Sequence, residues 1–419
     1  MSNTPFWYRF TPFLGRPPEL TKHQWKLLGL LSAVSFFENY DMYLFTLNLK
    51  QIQAELLIAE SDLGLLGAIV NAGAFLAVFL AMAADRLGRR SLLLITIVGY
   101  TFFTAATALA PNTEAFVVSQ MLARCFGTAE LLIAAVVIAE EFDPENRGWG
   151  IGAMGAVAAC GAGFASIMFG FVEHVPYGWR SLYAIGVIPL LFIAYWRRVL
   201  PETQKFKSAV QVREPVMKNV GDLFTHMPKR TIAFFVAVFG LILCSRSATF
   251  FAPKYLQDVQ GWEPSSVALL SFAGGALAIV GNPLAGWLSD RFGRRPMTTL
   301  FTAMLPLAAF AFYSMTGVIA PILWIGLIFF HSGSEVVSTS YGTELFPTRY
   351  RSTATGFRAI VGTAAGIIGL SVVSLLYPIF GSNWTAITVL CAISLIAPLM
   401  VWLFLPETAG RRLEEIAPD

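Results

Sequence analysis

The sequence predicts an all-α membrane protein: twelve transmembrane helices in two pseudo-symmetric six-helix bundles, with both termini on one side of the bilayer. Three observations carry that prediction. The first is composition: 56% of the 419 residues are hydrophobic and 13% are charged, with mean hydropathy +0.64. Soluble domains average about a quarter charged residues, so no soluble core accounts for this chain and lipid must be its solvent. The second is a series of apolar runs of membrane length. The third is a basic segment that occurs twice, Asp85-Arg86-Leu87-Gly88-Arg89-Arg90 and Asp290-Arg291-Phe292-Gly293-Arg294-Arg295, 205 residues apart. Each copy is read as a tight turn wedged between two apolar runs, and the pair marks a duplicated half.

Spanning takes about 20 apolar residues. Twelve stretches meet that length: 25–50, 60–83, 91–110, 114–140, 149–172, 180–199, 231–256, 264–288, 297–316, 320–344, 352–378 and 384–405. Turn-forming residues separate them, such as Pro111-Asn112, Asp143-Pro144-Glu145-Asn146 and Gly381-Ser382-Asn383. The expected domains are a tail at 1–24, a bundle at 25–199, a linker at 200–229, a second bundle at 230–405 and a tail at 406–419. The polar, basic linker is read as a solvated connector, with Val216 to Phe224 able to form a short interfacial helix. The first residues lack the pattern of a cleaved secretory signal, so the first stretch is expected to be retained.

Basic residues set the orientation. Of 29 Lys and Arg, 23 fall on the side of the N-terminus, and only Lys50, Arg180 and Lys254 fall on the other. Both termini are therefore expected in the cytoplasm. A net charge of +3 gives no support to nucleic-acid binding. Cys125, Cys160, Cys244 and Cys391 sit inside apolar runs without metal-ligand spacing and read as packing residues. No metal, cofactor, nucleophile–base pair or nucleotide loop is expected, so an enzyme has no support. The expected partners are small molecules, protons and the lipid bilayer, and the chain is expected to act as a monomer.

The duplication extends further. Glu140 to Arg147 recurs as Glu344 to Arg351 at offset 204, and Pro201-Glu202-Thr203 recurs as Pro406-Glu407-Thr408 at offset 205. Parallel six-helix repeats build a large class of transporters, with substrate near the bilayer midplane between the halves. With these motifs in place, the chain resembles the major facilitator superfamily. Its marker, Gly-x-x-x-Asp-Arg-x-Gly-Arg-Arg, is complete from Gly286 to Arg295; Ala81 replaces the glycine of the first copy. The Glu-to-Arg spacings and both Pro-Glu-Thr segments are similar to the sugar-porter and organic-ion branches. The seventh stretch reads Leu243-Cys244-Ser245-Arg246-Ser247-Ala248-Thr249, not the Gln-Gln-x-Ser-Gly of sugar porters. The fifth has no proline, unlike drug antiporters. The first, Phe36-Phe37-Glu38-Asn39-Tyr40-Asp41, is similar to the Asp-containing first helix of aromatic-acid:proton symporters.

An ionisable group at midplane costs about 2.5–3.5 kcal/mol, so each needs a partner or a task. Glu38 and Asp41 are three residues apart on one helical face, with Asn48 continuing the stripe. Two acids this close in low dielectric suit proton coupling, although a static ion pair to a neighbouring helix remains open. By depth, Arg124 is expected to pair with Glu38, leaving Asp41 freer to titrate. The repeat offset carries Asp41 to position 245 or 246, so the two halves place opposite charges at equivalent depth. Arg246 suits a substrate carboxylate, or locks to Asp41, and Phe250 shares its face. His331 either contacts substrate and relays protons or merely packs. Glu335 is expected to pair with Arg358, and Glu130, its repeat image, to form a buried ion pair with another neighbour. In the superfamily, residues placed like Asp85, Arg89, Glu140 and Arg147, and like Asp290, Arg294, Glu344 and Arg351, resemble inner-gate contacts that break on inward opening.

The resemblance implies proton-coupled uptake of a small organic anion, an aromatic or other monocarboxylate, by alternating access in the bacterial inner membrane or the plasma membrane. The alternatives are a sugar or polyol symporter and an exporter.

Overall fold

The computed structural model describes residues 5–197 and 216–411. Among them, fifteen α-helices follow in order. They are α1 (Lys22–Leu47), α2 (Leu49–Leu56), α3 (Leu63–Leu87), α4 (Arg89–Ala108), α5 (Thr113–Glu141), α6 (Arg147–Phe169) and α7 (Trp179–Arg197). Then come α8 (Val216–His226), α9 (Pro228–Asp258), α10 (Pro264–Phe292), α11 (Arg294–Ser314) and α12 (Ala320–Leu345). α13 (Thr348–Phe380), α14 (Asn383–Ser394) and α15 (Ile396–Phe404) complete the series. Each expected apolar stretch is mostly helical over its described residues. α8 occupies the segment where a short helix was thought possible; the rest of the linker before it lies outside the described residues.

Eleven helical spans among the described residues are long and apolar enough to cross a membrane. The first expected stretch is the one that falls short. Its middle carries Ser32, Ser35, Glu38, Asn39 and Asp41, which lower its apolarity. It also breaks at Asn48, where α1 gives way to α2, and the last stretch breaks similarly at Leu395 between α14 and α15.

Local sequence explains the helix ends. Thr21 and Gln24 form a reciprocal capping box at the start of α1, Asn112 caps α5 and Ser382 caps α14. Pro228 and Pro264 open α9 and α10, where a missing backbone N–H costs nothing. The repeated basic segment is not the tight turn the sequence suggests. Its Asp-Arg-x residues complete the last turn of α3 or α10, its Arg-Arg opens α4 or α11, and one glycine makes the break. Gly88 has φ +90 and Gly293 φ +104, which a side chain would strain. That conformation ends one helix and aims the next with a single residue.

The chain divides into two compact units: Met1–Leu57 with Val70–Gln211, and Ile58–Ile69 with Val212–Asp419. In the first, α1 packs on α6, and α4 on α5 and α7. In the second, α9 packs on α13, and α11 on α12. These pairings are repeat-equivalent. Both α1–α6 and α9–α13 close over a glycine: a Cβ at Gly161 would lie 1.9 Å from the Phe36 carbonyl oxygen, and one at Gly369 would lie 2.6 Å from that of Leu243. Without a hydrophobic drive between helices in lipid, such close approach is what packs them.

The start of α3 belongs with the second unit, a division that sequence contiguity does not suggest. Leu65 N donates to Ser374 Oγ at 2.8 Å, and a Cβ at Gly64 would stand 2.4 Å from the Leu370 carbonyl oxygen.

Candidate functional site

In the first unit, the acids of α1 face inward. Glu38 and Asp41 are 6% and 7% exposed. Glu38 Oε1 lies 3.4 Å from Arg124 Nη1 on α5, and its other oxygen accepts from Asn39 Nδ2 at 3.2 Å. Asp41 is less completely engaged: Gln120 of α5 is its hydrogen-bonding neighbour, yet its Oδ1 is buried without a partner. Gln120 is itself held by Thr107 Oγ1 at 3.3 Å. The phenols of Tyr100 and Tyr183 border the same carboxyl, with Tyr100 tied to the Phe37 carbonyl at 2.8 Å. Leaving a buried polar atom unpaired costs about 1–3 kcal/mol, so a native structure that keeps one has a use for it or fills it. Asn48 ends α1. It is fully buried two turns on, and its amide donates back to the Leu44 carbonyl at 2.9 Å.

A second charged cluster in this unit is closed. Glu130 of α5 and Arg197 at the end of α7 are each 1% exposed and form an ion pair. Thr96 donates to the remaining Glu130 oxygen, and Arg197 Nη2 donates to the Leu30 carbonyl at 3.2 Å. Four helices, α1, α4, α5 and α7, are pinned at one point. The sequence count places Arg197 with the basic residues on the side of the N-terminus. Its side chain is buried: a charge near the end of an apolar run can turn back into it when an acid waits there.

In the second unit, Ser245 Oγ and His331 Nδ1 lie 2.7 Å apart, linking α9 to α12. Arg358 Nη2 bonds Glu335 Oε2 at 2.7 Å and Ser338 Oγ at 3.0 Å. Arg246, next to Ser245, is exposed, and its charge acts on both His331 and Glu335. Arg246, His331, Glu335 and Arg358 thus form one constellation. Phe250 is buried instead, its ring against Gly67 at the start of α3.

Lys254 also departs from expectation. Placed by the count on the side away from the termini, it is 2% exposed. Its Nζ pairs with Glu60 Oε1 at 2.7 Å and with Asp258, while Asn383 Nδ2 donates to Glu60 Oε2 at 3.1 Å. Its repeat image Lys50 gave no hint of this, because the acid that buries it lies 194 residues away.

At the basic ends of the bundles, Arg89 Nη2 reaches Glu140 Oε1 at 3.1 Å. Arg294 reaches Asp290 at 2.6 Å and Glu344 at 2.9 Å. The side chain of Asp85 lies outside the described residues. Arg147 donates to the Phe142 carbonyl at 3.1 Å, and Arg351 reaches Thr348 Oγ1 at 3.5 Å. The second Pro-Glu-Thr segment, Pro406-Glu407-Thr408, is part of this network; the first lies outside the described residues. Glu407 accepts from the backbone N–H of Arg294 at 2.8 Å and of Arg295 at 3.2 Å, capping α11, and Thr408 donates to Glu344 Oε2 at 2.6 Å. Its recurrence at the repeat offset was the available signal.

Residues 31–369 match the family model described as Major Facilitator Superfamily. The chain is 26% identical to the cis,cis-muconate transport protein of Acinetobacter baylyi, over 84% of this chain and 88% of that one. It is 23% identical to the gentisate transporter of Corynebacterium glutamicum, over 81% and 78%. Among solved structures it resembles a D-xylose-proton symporter, with TM-score 0.76, 17% identity, and coverage of 92% and 98%.

Proposed function

We propose, from the premise that the chain belongs to the Major Facilitator Superfamily, that its charged α1 and α9 couple protons to the movement of an organic anion. The chain is a secondary transporter of small organic acids and a multi-pass protein of the inner or plasma membrane. Its family and relatives are transporters, not enzymes. The finer reading is uptake of an aromatic or other monocarboxylate by a monomer with twelve spans and both termini in the cytoplasm.

One observation carries the coupling. At repeat-equivalent depth, α1 presents a buried carboxyl with an unpaired oxygen, and α9 presents an exposed guanidinium. Asp41 takes and releases the proton. Glu38, held by Arg124 and Asn39, keeps a negative charge nearby. Arg246 meets the carboxylate as a planar donor that is always charged, with His331 and the Glu335–Arg358 pair setting its surroundings. The bonds at the basic ends are half-buried at most places, and each joins side chains that can separate, which suits contacts that break and re-form as access alternates.

Uptake by purified protein in proteoliposomes tests the anion contact. Arg246→Ala is expected to raise the KM for a labelled aromatic carboxylate at least tenfold, and Arg246→Lys to restore part of it. Wild-type uptake by both variants would remove Arg246 from the site. Neutral sugars or polyols competing better than carboxylates would favour the alternative cargo.

A further inference from the structure

On the flank of the first unit lies a groove whose lining includes none of the charged pairs described above. Its volume is about 520 Å³, within the range of ligand pockets, and its walls come from the N-terminal tail, α1, α6 and α7. Trp7, Trp25, Phe36, Val157, Ile193 and Trp196 make it apolar. The tail is folded to build it. Trp7 lies over Gly29, where a Cβ would stand 3.3 Å from its indole nitrogen, and packs edge-on against Trp25 at 5.6 Å. Tyr8 and Trp149 complete the cluster around Trp25, and Tyr8 Oη donates to the Gly15 carbonyl at 2.7 Å.

Three polar residues line this apolar space: Thr11, whose hydroxyl donates to the Tyr8 carbonyl at 3.0 Å, Lys26 and Ser32. Lys26, exposed, lines the end nearest the start of α1. Ser32 also lines the groove; it is 3% exposed, and its hydroxyl has no hydrogen-bond partner. The two are six residues apart, about 9 Å along the helix. The neighbouring face of α7 exposes Leu191, Phe192, Tyr195 and Trp196, an aromatic and aliphatic surface suited to the boundary of a bilayer. A cation at the mouth, an unpaired hydroxyl deeper in and an apolar trough opening toward lipid match the three parts of one molecule: phosphate, ester and acyl chain.

We propose that this groove is a site for an anionic glycerophospholipid of the leaflet on the basic side. The phosphate sits at Lys26, an ester oxygen accepts from Ser32, and a chain lies between the tail, α1, α6 and α7. The tail is then a wall of the site rather than an appendage. Basic pockets beside transmembrane helices on the cytoplasmic side are a recurring mode of anionic-lipid recognition.

The test is native mass spectrometry of delipidated protein offered equal amounts of phosphatidylglycerol and phosphatidylcholine. The wild type should retain one phosphatidylglycerol in preference to phosphatidylcholine. Lys26→Ala should reduce that preference about fivefold, the effect of one basic residue near a membrane surface. Ser32→Ala should weaken retention of both lipids alike, and Ala33→Phe should fill the trough and abolish it. Lys26 is exposed, so the melting temperature of Lys26→Ala in lipid-free detergent should match the wild type. Equal retention of the two lipids by the wild type, or an unchanged preference in Lys26→Ala, overturns the proposal.

Discussion

Glu130 and Glu335 stand 205 residues apart, at the same place in the two repeats, and each pairs with an arginine. The two pairs have diverged. Side chains of Glu130 and Arg197 are each 1% exposed, and the carboxylate has a second donor in Thr96. Side chains of Glu335 and Arg358 are 37% and 16% exposed, within reach of the fields of His331 and Arg246. Duplication gave both units an acid at this depth. One was sealed into a pin for four helices, and the other stayed open beside an exposed guanidinium. A buried carboxylate with both oxygens bonded, as at Glu130, is architecture; one set half-exposed, or with an oxygen left unpaired as at Asp41, has chemistry still to do.

The sharpest way to break that comparison is to remove one partner from each pair. Glu130→Ala or Arg197→Ala strands a buried charge and should cost about 3–5 kcal/mol, read as a lowered melting temperature or lost expression. Glu335→Gln should leave melting nearly unchanged and instead impair uptake. Equal effects on stability would erase the distinction. Lys254→Met should fall between the two. It removes a buried cation, but its partners Glu60 and Asp258 are 38% and 25% exposed and regain water, so the loss should be about 1–3 kcal/mol in thermal unfolding. Smallest is Glu407→Ala, which uncaps α11 and should cost about 1 kcal/mol. A larger loss there would make the Pro-Glu-Thr segment more than a cap.

The helices were legible because a bilayer sets a minimum apolar length, and eleven of the twelve expected stretches meet it among the described residues. Their ends were less so. Apolarity stops at the first charges, whereas hydrogen bonding carries α10 through Asp290-Arg291 to the glycine and lets α13 reach 33 residues. Within the site, Glu38 and Arg124 can be matched by depth because both lie well inside long helices. Arg197 and Lys254 cannot be matched that way. Counting basic residues assigns each to a side of the bilayer without giving it a partner, and the acids that draw these two inward lie 67 and 194 residues away. An unpaired Glu130 in the middle of a span was the one available hint that a cation had to come from somewhere. The break at Asn48 left no clearer trace than a polar residue in an apolar run.

The central claim is that Asp41 moves a proton with an organic anion. Proteoliposomes in a lightly buffered medium, given an aromatic carboxylate such as benzoate or gentisate, report this on a pH electrode. The account predicts that the medium turns alkaline on addition of substrate with the wild type. It predicts no such change with Asp41→Asn, while that variant still exchanges labelled for unlabelled substrate. A silent electrode with wild-type protein that is accumulating substrate, or an unchanged alkaline shift in Asp41→Asn, would contradict it.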